Sequence, residues 1–172
     1  MASEAGDRAA PGARIEYAES FAADRFPLDD LSKDIIGHLQ EDGRRSYASI
    51  GKAVGLSEAA VRQRVQKLLD SKVIQIVAVT DPLQLGFPRH AMIGVRCSGD
   101  MVETADEIAR LSAVDYCVVT AGKFDVLAEV VCENDHALLD IIHKIRAIKN
   151  VRETETFMYL SLRKQIYNWG TP

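Results

Sequence analysis

Arg62, Gln63 and Gln66 are three long polar side chains in a segment whose apolar residues recur at helical spacing. On a helix these residues share the face opposite the apolar stripe, together with Ala59. Guanidinium and amide groups form paired hydrogen bonds with base edges in the major groove of DNA. The segment therefore predicts a base-reading helix, although a plain helical hairpin with a solvated face has the same pattern. The apolar stripe consists of Val61, Val65, Leu68 and Leu69.

Basic residues are concentrated around this segment. Residues 43–73 carry seven Lys or Arg and two acids, a local charge of +5, although the whole chain has a net charge of -4. A local positive surface on an acidic chain favours contact with phosphates by one part of the molecule only. Arg64 lies near the apolar stripe, so its role is the least defined, and all of these charges could instead be simply solvated. The expected phosphate contacts are Arg44, Arg45, Lys52, Arg64, Lys67 and Lys72.

A second group of residues has the chemistry to hold a small molecule. The loop from Gly122 to Asp125 lies between two predicted strands, where glycine lets the backbone approach a ligand and an aspartate can accept an ammonium group. Nearby threonine hydroxyls could meet a carboxylate. The alternatives are an ordinary hairpin turn and threonines that serve only as strand formers. The candidate ligand residues are Gly122, Lys123, Phe124, Asp125, Thr120, Thr154 and Thr156.

Other chemistries have no support in the residue pattern. Cys97, Cys117 and Cys132 fall in apolar, strand-like runs, so we expect reduced cysteines that pack as small apolar residues. The histidines have no metal-ligand spacing, and neither a phosphate-binding glycine loop nor a nucleophile elbow is present, so we expect no catalytic residue, metal or cofactor. The sequence has no apolar run of roughly 18 to 20 residues and no signal-peptide layout, which predicts a cytoplasmic protein without a membrane partner.

Three helices are predicted to position the base-reading candidates. The first runs from Leu28, with Asp29 or Asp30 as its cap, to Gly43. Ser46 caps a second helix with Tyr47, Ile50 and Val54 inward, and Gly55 ends it. Ser57 caps the third helix and is counted among the expected DNA contacts. The β-branched run 73–80 predicts a strand that Asp81-Pro82 ends.

The remaining chain alternates between strand and helix periods in the order βαββαβ, which predicts an antiparallel sheet with both helices on one face. Several strands carry apolar residues on both faces, as Val130 and Val131 illustrate, so a partner chain is expected to cover the second face. The expected elements span 91–97, 101–111, 114–120, 126–132, 135–148 and 151–162. The expected inward helix residues are Val102, Ala105, Ile108, Ala109, Leu138, Ile141, Ile142, Ile145 and Ile148.

These patterns divide the chain into two domains with flanking segments. The predicted divisions are a mobile tail at 1–24, a helix-turn-helix domain with a flanking strand at 25–80, a hinge at 81–89, a ligand-binding and assembly domain at 90–165, and a tail at 166–172.

Several motifs together resemble the leucine-responsive and asparagine-responsive regulator family, Lrp/AsnC. The resemblance covers about residues 28–163, although Lys72 and Ile76 stand where the family favours glycine. The matching motifs are Asp42-Gly43-Arg44, Ile50, Val54-Gly55-Leu56-Ser57, Val61-Arg62-Gln63-Arg64-Val65, Leu68, Val73-Ile74, Asp81-Pro82, Leu85-Gly86 and Gly122-Lys123-Phe124-Asp125.

The resemblance implies an α+β fold with a winged helix-turn-helix followed by a ferredoxin-like domain of the RAM/AsnC type. It also implies dimers that often join into octamers, with an amino acid or related metabolite bound between dimers at the loop that contains Gly122 and Asp125. The expected function is therefore effector-responsive, sequence-specific binding to double-stranded DNA. The alternative is a small-molecule-binding module or minor metabolic enzyme whose helical half docks to another protein.

Overall fold

The computed structural model describes residues 27–171, which form two compact units. The predicted mobile tail at 1–24 and the final residue, Pro172, lie outside this range. The first unit contains three helices, and their order and approximate bounds agree with the sequence expectation. They are α1 (Asp30–Glu41), α2 (Tyr47–Val54) and α3 (Glu58–Asp70).

Each of these helices begins at a side-chain cap that was expected from sequence. The side chains of Asp29, Ser46 and Ser57 each accept a hydrogen bond from the backbone N–H three residues later, at 2.8, 3.2 and 3.2 Å. Gly55 ends α2 with φ of +72°, in the left-handed region that glycine adopts at little cost. The turn between α2 and α3 is therefore fixed by local sequence at both of its ends.

The core of the first unit is small and draws on all three helices. Ile35 of α1, Ile50 of α2 and the α3 pair Val61 and Val65 are fully buried against one another. Because the buried α3 residues recur at helical spacing, the remaining side of that helix faces solvent. The core thus determines which α3 side chains are presented outward.

The second unit is a four-stranded antiparallel sheet with two helices. Strand β1 lies between β3 and β4, and β2 pairs with the other edge of β3, which gives the order β2-β3-β1-β4. The element order is the βαββαβ arrangement expected from sequence. The elements are β1 (Arg89–Cys97), α4 (Met101–Ala109), β2 (Val114–Val119), β3 (Val126–Cys132), α5 (Asp135–Ala147) and β4 (Val151–Met158).

One face of the sheet packs against α4 and α5. Ile93 of β1 and Ala128 of β3 are register partners on this face, and both are fully buried with Ile108 and Ile145 from the helices. Cys132 is buried, Cys97 and Cys117 are half-buried, and all three are free thiols. Burial raises the pKa of the Cys97 thiol, so the neutral thiol is favoured.

The opposite face also carries apolar side chains, as expected. Val130 belongs to the helix-facing core, whereas its neighbour Val131 points to the other side. Val131 is only 8% exposed within this chain, so the exposed apolar area on that face comes from residues such as Tyr116 and Phe157. Their exposed fractions are 48% and 42%.

Three sequence expectations are wrong in detail. Residues 73–80 form no strand, because a strand needs a ladder partner and no residue within 27–171 supplies one to this segment. The last strand ends at Met158 rather than Leu162, and Leu160 is 94% exposed. On α4, Val102 is exposed, and Thr104 is buried instead on the same face as Ala105 and Ile108. The buried Thr104 hydroxyl is satisfied because it donates to the Asp100 carbonyl at 2.7 Å.

Candidate nucleic-acid interface and ligand site

The four residues expected on the outer face of α3 are brought together there. Ala59, Arg62, Gln63 and Gln66 are all exposed and lie together on one open surface along the helix. Lys67, Asp70 and Ser71 border the same surface. This surface offers guanidinium, amide and ammonium donors on a convex helical support, which is the shape that enters a DNA major groove.

Two of these side chains have partners that sequence analysis did not identify. The Nη2 atom of Arg62 donates to Glu58 Oε1 at 2.7 Å, and the Arg62 guanidinium carbon lies 5.3 Å from the centre of the Tyr47 ring. The amide nitrogen of Gln66 donates to Asp70 Oδ1 at 2.8 Å. The four-residue spacing of the two acids was a detectable signal. The Tyr47 contact depends on how α2 crosses α3, which the sequence does not reveal.

The expected phosphate contacts lie in different surroundings. Arg44 and Lys52 are exposed near α2, and Lys67 is exposed on α3. Arg45 donates through Nη1 to Glu41 Oε2 at 3.0 Å and to His38 Nδ1 at 2.6 Å, so it is held against the end of α1. Lys72, the second residue after α3, adopts a positive φ of 56°, in the left-handed region that favours glycine.

Arg64 and Ser57 have structural partners inside the helical unit. Arg64 Nη1 donates to both carboxylate oxygens of Asp29, at 2.9 and 2.7 Å, and Ser57 caps α3. Hydrogen bonds from Ser32, and then from Arg64, lower the pKa of Asp29 to about 2. Arg64 therefore joins α3 to the start of α1.

The loop expected to bind a ligand is anchored to β1 by its backbone and side chains. The Asp125 carboxylate accepts from the Cys97 backbone N–H at 2.7 Å, and the Asp125 N–H donates to the Val95 carbonyl at 2.9 Å. The Thr120 hydroxyl donates to the Phe124 carbonyl at 2.6 Å. Gly122 is exposed at the tip of the loop. The Asp125 carboxylate thus has a structural partner already.

Phe124 and Lys123 lie over the sheet face that the helices leave uncovered. The Phe124 ring packs so closely on Gly94 that a Cβ at that position would meet the ring at 2.7 Å. Phe157 makes an edge contact with Phe124, with ring centres 5.9 Å apart. Lys123 Nζ lies 2.7 Å from Glu155 Oε2. Aromatic and charged groups are therefore combined at this end of the sheet.

Thr154 and Thr156 are not brought to the loop. They pair with Val95 and Ile93, whose side chains face the helices, so both threonines lie on the helix side of the sheet. Thr154 Oγ1 accepts from Arg146 Nε of α5 at 2.7 Å. The expected ligand set is thus divided between two faces.

A polar cluster on the uncovered sheet face was not anticipated. Glu129 Oε1 lies 3.0 Å from His90 Nε2 and accepts from the Tyr159 hydroxyl at 2.8 Å. Burial, together with the bond to Glu129, raises the pKa of Tyr159 to about 12. Only strand register brings these residues together, and no motif in the sequence marks them.

Two further observations concern metals and membranes. Within residues 27–171, no three His, Cys, Asp or Glu side chains are grouped so that they could hold a metal ion. Over the same part of the chain, every helix is too short or too polar to span a bilayer.

Comparison with known domain families gives two matches. Residues 28–69 match the AsnC-type helix-turn-helix domain, and residues 90–172 match a C-terminal dimeric alpha+beta barrel domain. The second match continues past residue 163, where the resemblance described from the sequence ends.

The similarity to known proteins extends over nearly the full length of those proteins. An HTH-type transcriptional regulator of Pyrococcus furiosus is 34% identical over 146 residues, 83% of this chain and 96% of its own. The structure of Escherichia coli AsnC has a TM-score of 0.71 at 25% identity, covering 83% of this chain and 98% of that one. A Neisseria meningitidis transcriptional regulator solved as an L-Met complex has a TM-score of 0.71 at 22% identity, covering 85% and 97%.

Proposed function

Because this chain belongs to the Lrp/AsnC family of HTH-type transcriptional regulators, we propose that α3 is its recognition helix and that Arg62, Gln63 and Gln66 read base edges in the major groove. The observation that carries this proposal is the exposure of all three side chains on one face of α3, opposite the buried Val61 and Val65.

Phosphate contacts would come from the exposed cations beside that face. Arg44, Lys52 and Lys67 are all exposed and can reach a DNA backbone. Arg45 and Lys72 would contribute phosphate contacts at the border of the DNA-binding surface. We assign Arg64 and Ser57 a supporting part, because Arg64 is bonded to Asp29 and Ser57 caps α3.

Self-association would place two recognition helices on one DNA site. The C-terminal unit matches a domain described as dimeric, and its uncovered sheet face carries Tyr116 and Phe157. We propose that a second copy covers this face, and that the dimer binds two DNA half-sites whose centres are about 34 Å apart. We propose that the protein acts in the cytoplasm. Dimers could join further into octamers.

We also propose a small effector, an amino acid or related metabolite, at the 122–125 loop. The related N. meningitidis regulator was solved with L-Met, and Lys123, Phe124 and Asp125 combine a cation, a ring and a carboxylate. An effector changes DNA occupancy only if it binds one assembly state more tightly than another. The relatives named above are regulators, so we favour this proposal over the enzymatic or protein-docking alternative.

The DNA part is tested by binding to duplexes that span the chain's own upstream region, measured over a range of salt. We expect Arg62→Ala and Gln63→Ala to weaken binding to the preferred site while leaving unrelated DNA unaffected. Lys52→Ala should weaken binding to all sequences and reduce the slope of log K against log salt by about 0.9. Asp140→Ala, which removes an ion pair on α5, serves as the control. Unchanged binding by both base-reading variants would refute the assignment.

The effector part is tested by calorimetry against a panel of amino acids that includes L-methionine. Asp125→Asn keeps an acceptor for the Cys97 N–H but removes the charge, so we expect it to abolish binding of an ammonium group while the loop stays folded. Light scattering with and without the ligand would report the change in assembly. A panel with no binder, or unchanged affinity in the variant, would contradict the proposed site.

A further inference from the structure

Arg62 is the one proposed base-reading residue held by side chains from two helices. Tyr47, the first residue of α2, presents its ring 5.3 Å from the guanidinium carbon, which is within the range of a cation–π contact. Glu58, the first residue of α3, accepts from Nη2 at 2.7 Å. The Arg62 side chain is nevertheless 64% exposed. The guanidinium is therefore oriented before DNA arrives while its outer edge stays accessible.

The remaining donors of Arg62 suit guanine. A guanidinium has five N–H donors in a planar fork, and the bond to Glu58 uses one of them. The others can pair with O6 and N7 of guanine, a bidentate contact that depends strongly on angle. A side chain already held in one orientation loses less freedom on binding, so the matching base is favoured more strongly.

We propose that Tyr47 and Glu58 are positioning residues that hold Arg62 for a guanine, and that this contact makes one G·C base pair the most discriminated position of each half-site. The inference rests on the proposed recognition role of α3. By contrast, Gln63 has no side-chain hydrogen bond within residues 27–171, and Gln66 is bonded only along its own helix to Asp70. Gln63 can therefore adapt to several bases and Gln66 has one bond within its own helix, whereas Arg62 is held from both α2 and α3.

Tyr47 has a second role that the test must separate from the first. Its side chain also packs against the Ile35 and Ile50 core, so loss of the ring could weaken the fold. Tyr47→Phe keeps both the packing and the ring face. Tyr47→Leu keeps apolar packing but removes the π-system. Loosened packing alone does not selectively change the base preference at a single position of the site.

The experiment uses the full chain. A preferred site is first selected from random duplexes, and affinity is then measured for every single-base substitution in that site. We expect Arg62→Lys to reduce discrimination at one G·C pair by roughly tenfold or more, because lysine lacks the fork. Tyr47→Leu and Glu58→Ala should reduce discrimination at that same pair by roughly two- to fivefold, and Tyr47→Phe should retain it. Asp140→Ala controls for loss of an equivalent ion pair on α5.

The outcomes separate the inference from the function on which it rests. If Arg62→Lys removes the guanine preference while Tyr47→Leu and Glu58→Ala keep it, positioning is wrong and base reading stands. The positioning role would also be refuted if Tyr47→Leu and Glu58→Ala lowered the melting temperature and weakened binding equally for every single-base substitution in the site. If the unmodified protein selects no sequence at all, the proposed function itself fails.

Discussion

Arg64 on α3 donates to both carboxylate oxygens of Asp29, the residue that caps α1, at 2.9 and 2.7 Å. The two residues are 35 positions apart in sequence, and the Arg64 side chain is about one-third exposed. Asp29 therefore both caps its own helix through the Ser32 N–H and binds α3 through Arg64. This pair links α3 to the start of α1, beside the buried core that packs the two helices together.

The first prediction concerns the role of Arg64. We expect Arg64→Met to lower the melting temperature of the helical unit, because Asp29 loses its partner, and to leave the salt dependence of DNA binding nearly unchanged. Asp29→Asn should lower stability in the same direction, and the double variant should lose less than the two single effects added together. A drop of about 0.9 in the salt slope for Arg64→Met would instead identify a phosphate contact.

The second prediction concerns stability in acid. Because the pKa of Asp29 is about 2 in the folded chain and 3.8 in the unfolded one, its contribution is present above pH 4 and is lost as the pH falls toward 2. Chemical denaturation between pH 5 and 2 should show a steeper loss of stability for the unmodified chain than for Asp29→Asn. Parallel curves for the two proteins would exclude this linkage.

The third prediction concerns stability at high pH. Tyr159 stays neutral in the folded chain up to a pKa of about 12, whereas an unfolded tyrosine ionises near 10. Its contribution is therefore complete below pH 10 and is lost as the pH rises toward 12. Tyr159→Phe should flatten the pH dependence in this window and remove one late-titrating phenol from the ultraviolet titration. An unaltered titration curve would show that Tyr159 is not the perturbed group.

The fourth prediction compares two glycines. A Cβ at Gly94 would meet the Phe124 ring at 2.7 Å, so Gly94→Ala should displace the 122–125 loop and destabilise the chain by roughly 1–3 kcal/mol. Gly37 lies within α1, and a Cβ there meets nothing within 4 Å, so Gly37→Ala should stabilise by about 0.5–1 kcal/mol. Denaturant unfolding of both variants measures the contrast. Equal effects would mean that the ring does not depend on Gly94 for its position.

Local sequence determined the element order and the outward face of α3. Capping residues act within three positions and apolar periodicity acts within one helix, so Ser57 and the Val61–Val65 spacing were sufficient to place Arg62, Gln63 and Gln66 on the solvent side. The βαββαβ order and the single helix-covered face followed for the same reason. The strand expected at 73–80 failed because strand propensity alone supplies no ladder partner.

Only the tertiary structure decided which functional groups meet. Arg64 donates to Asp29, and the Arg62 guanidinium contacts the Tyr47 ring, because the packing of the helices brings together positions that are distant in the chain. Strand register placed Thr154 and Thr156 on the helix side, away from the loop residue Phe124. Side chains alternate between sheet faces with each residue, so a face assignment requires the register of the paired strands. Local sequence thus specified the helices, most strands and the outward face of α3, and packing between elements specified which distant side chains meet.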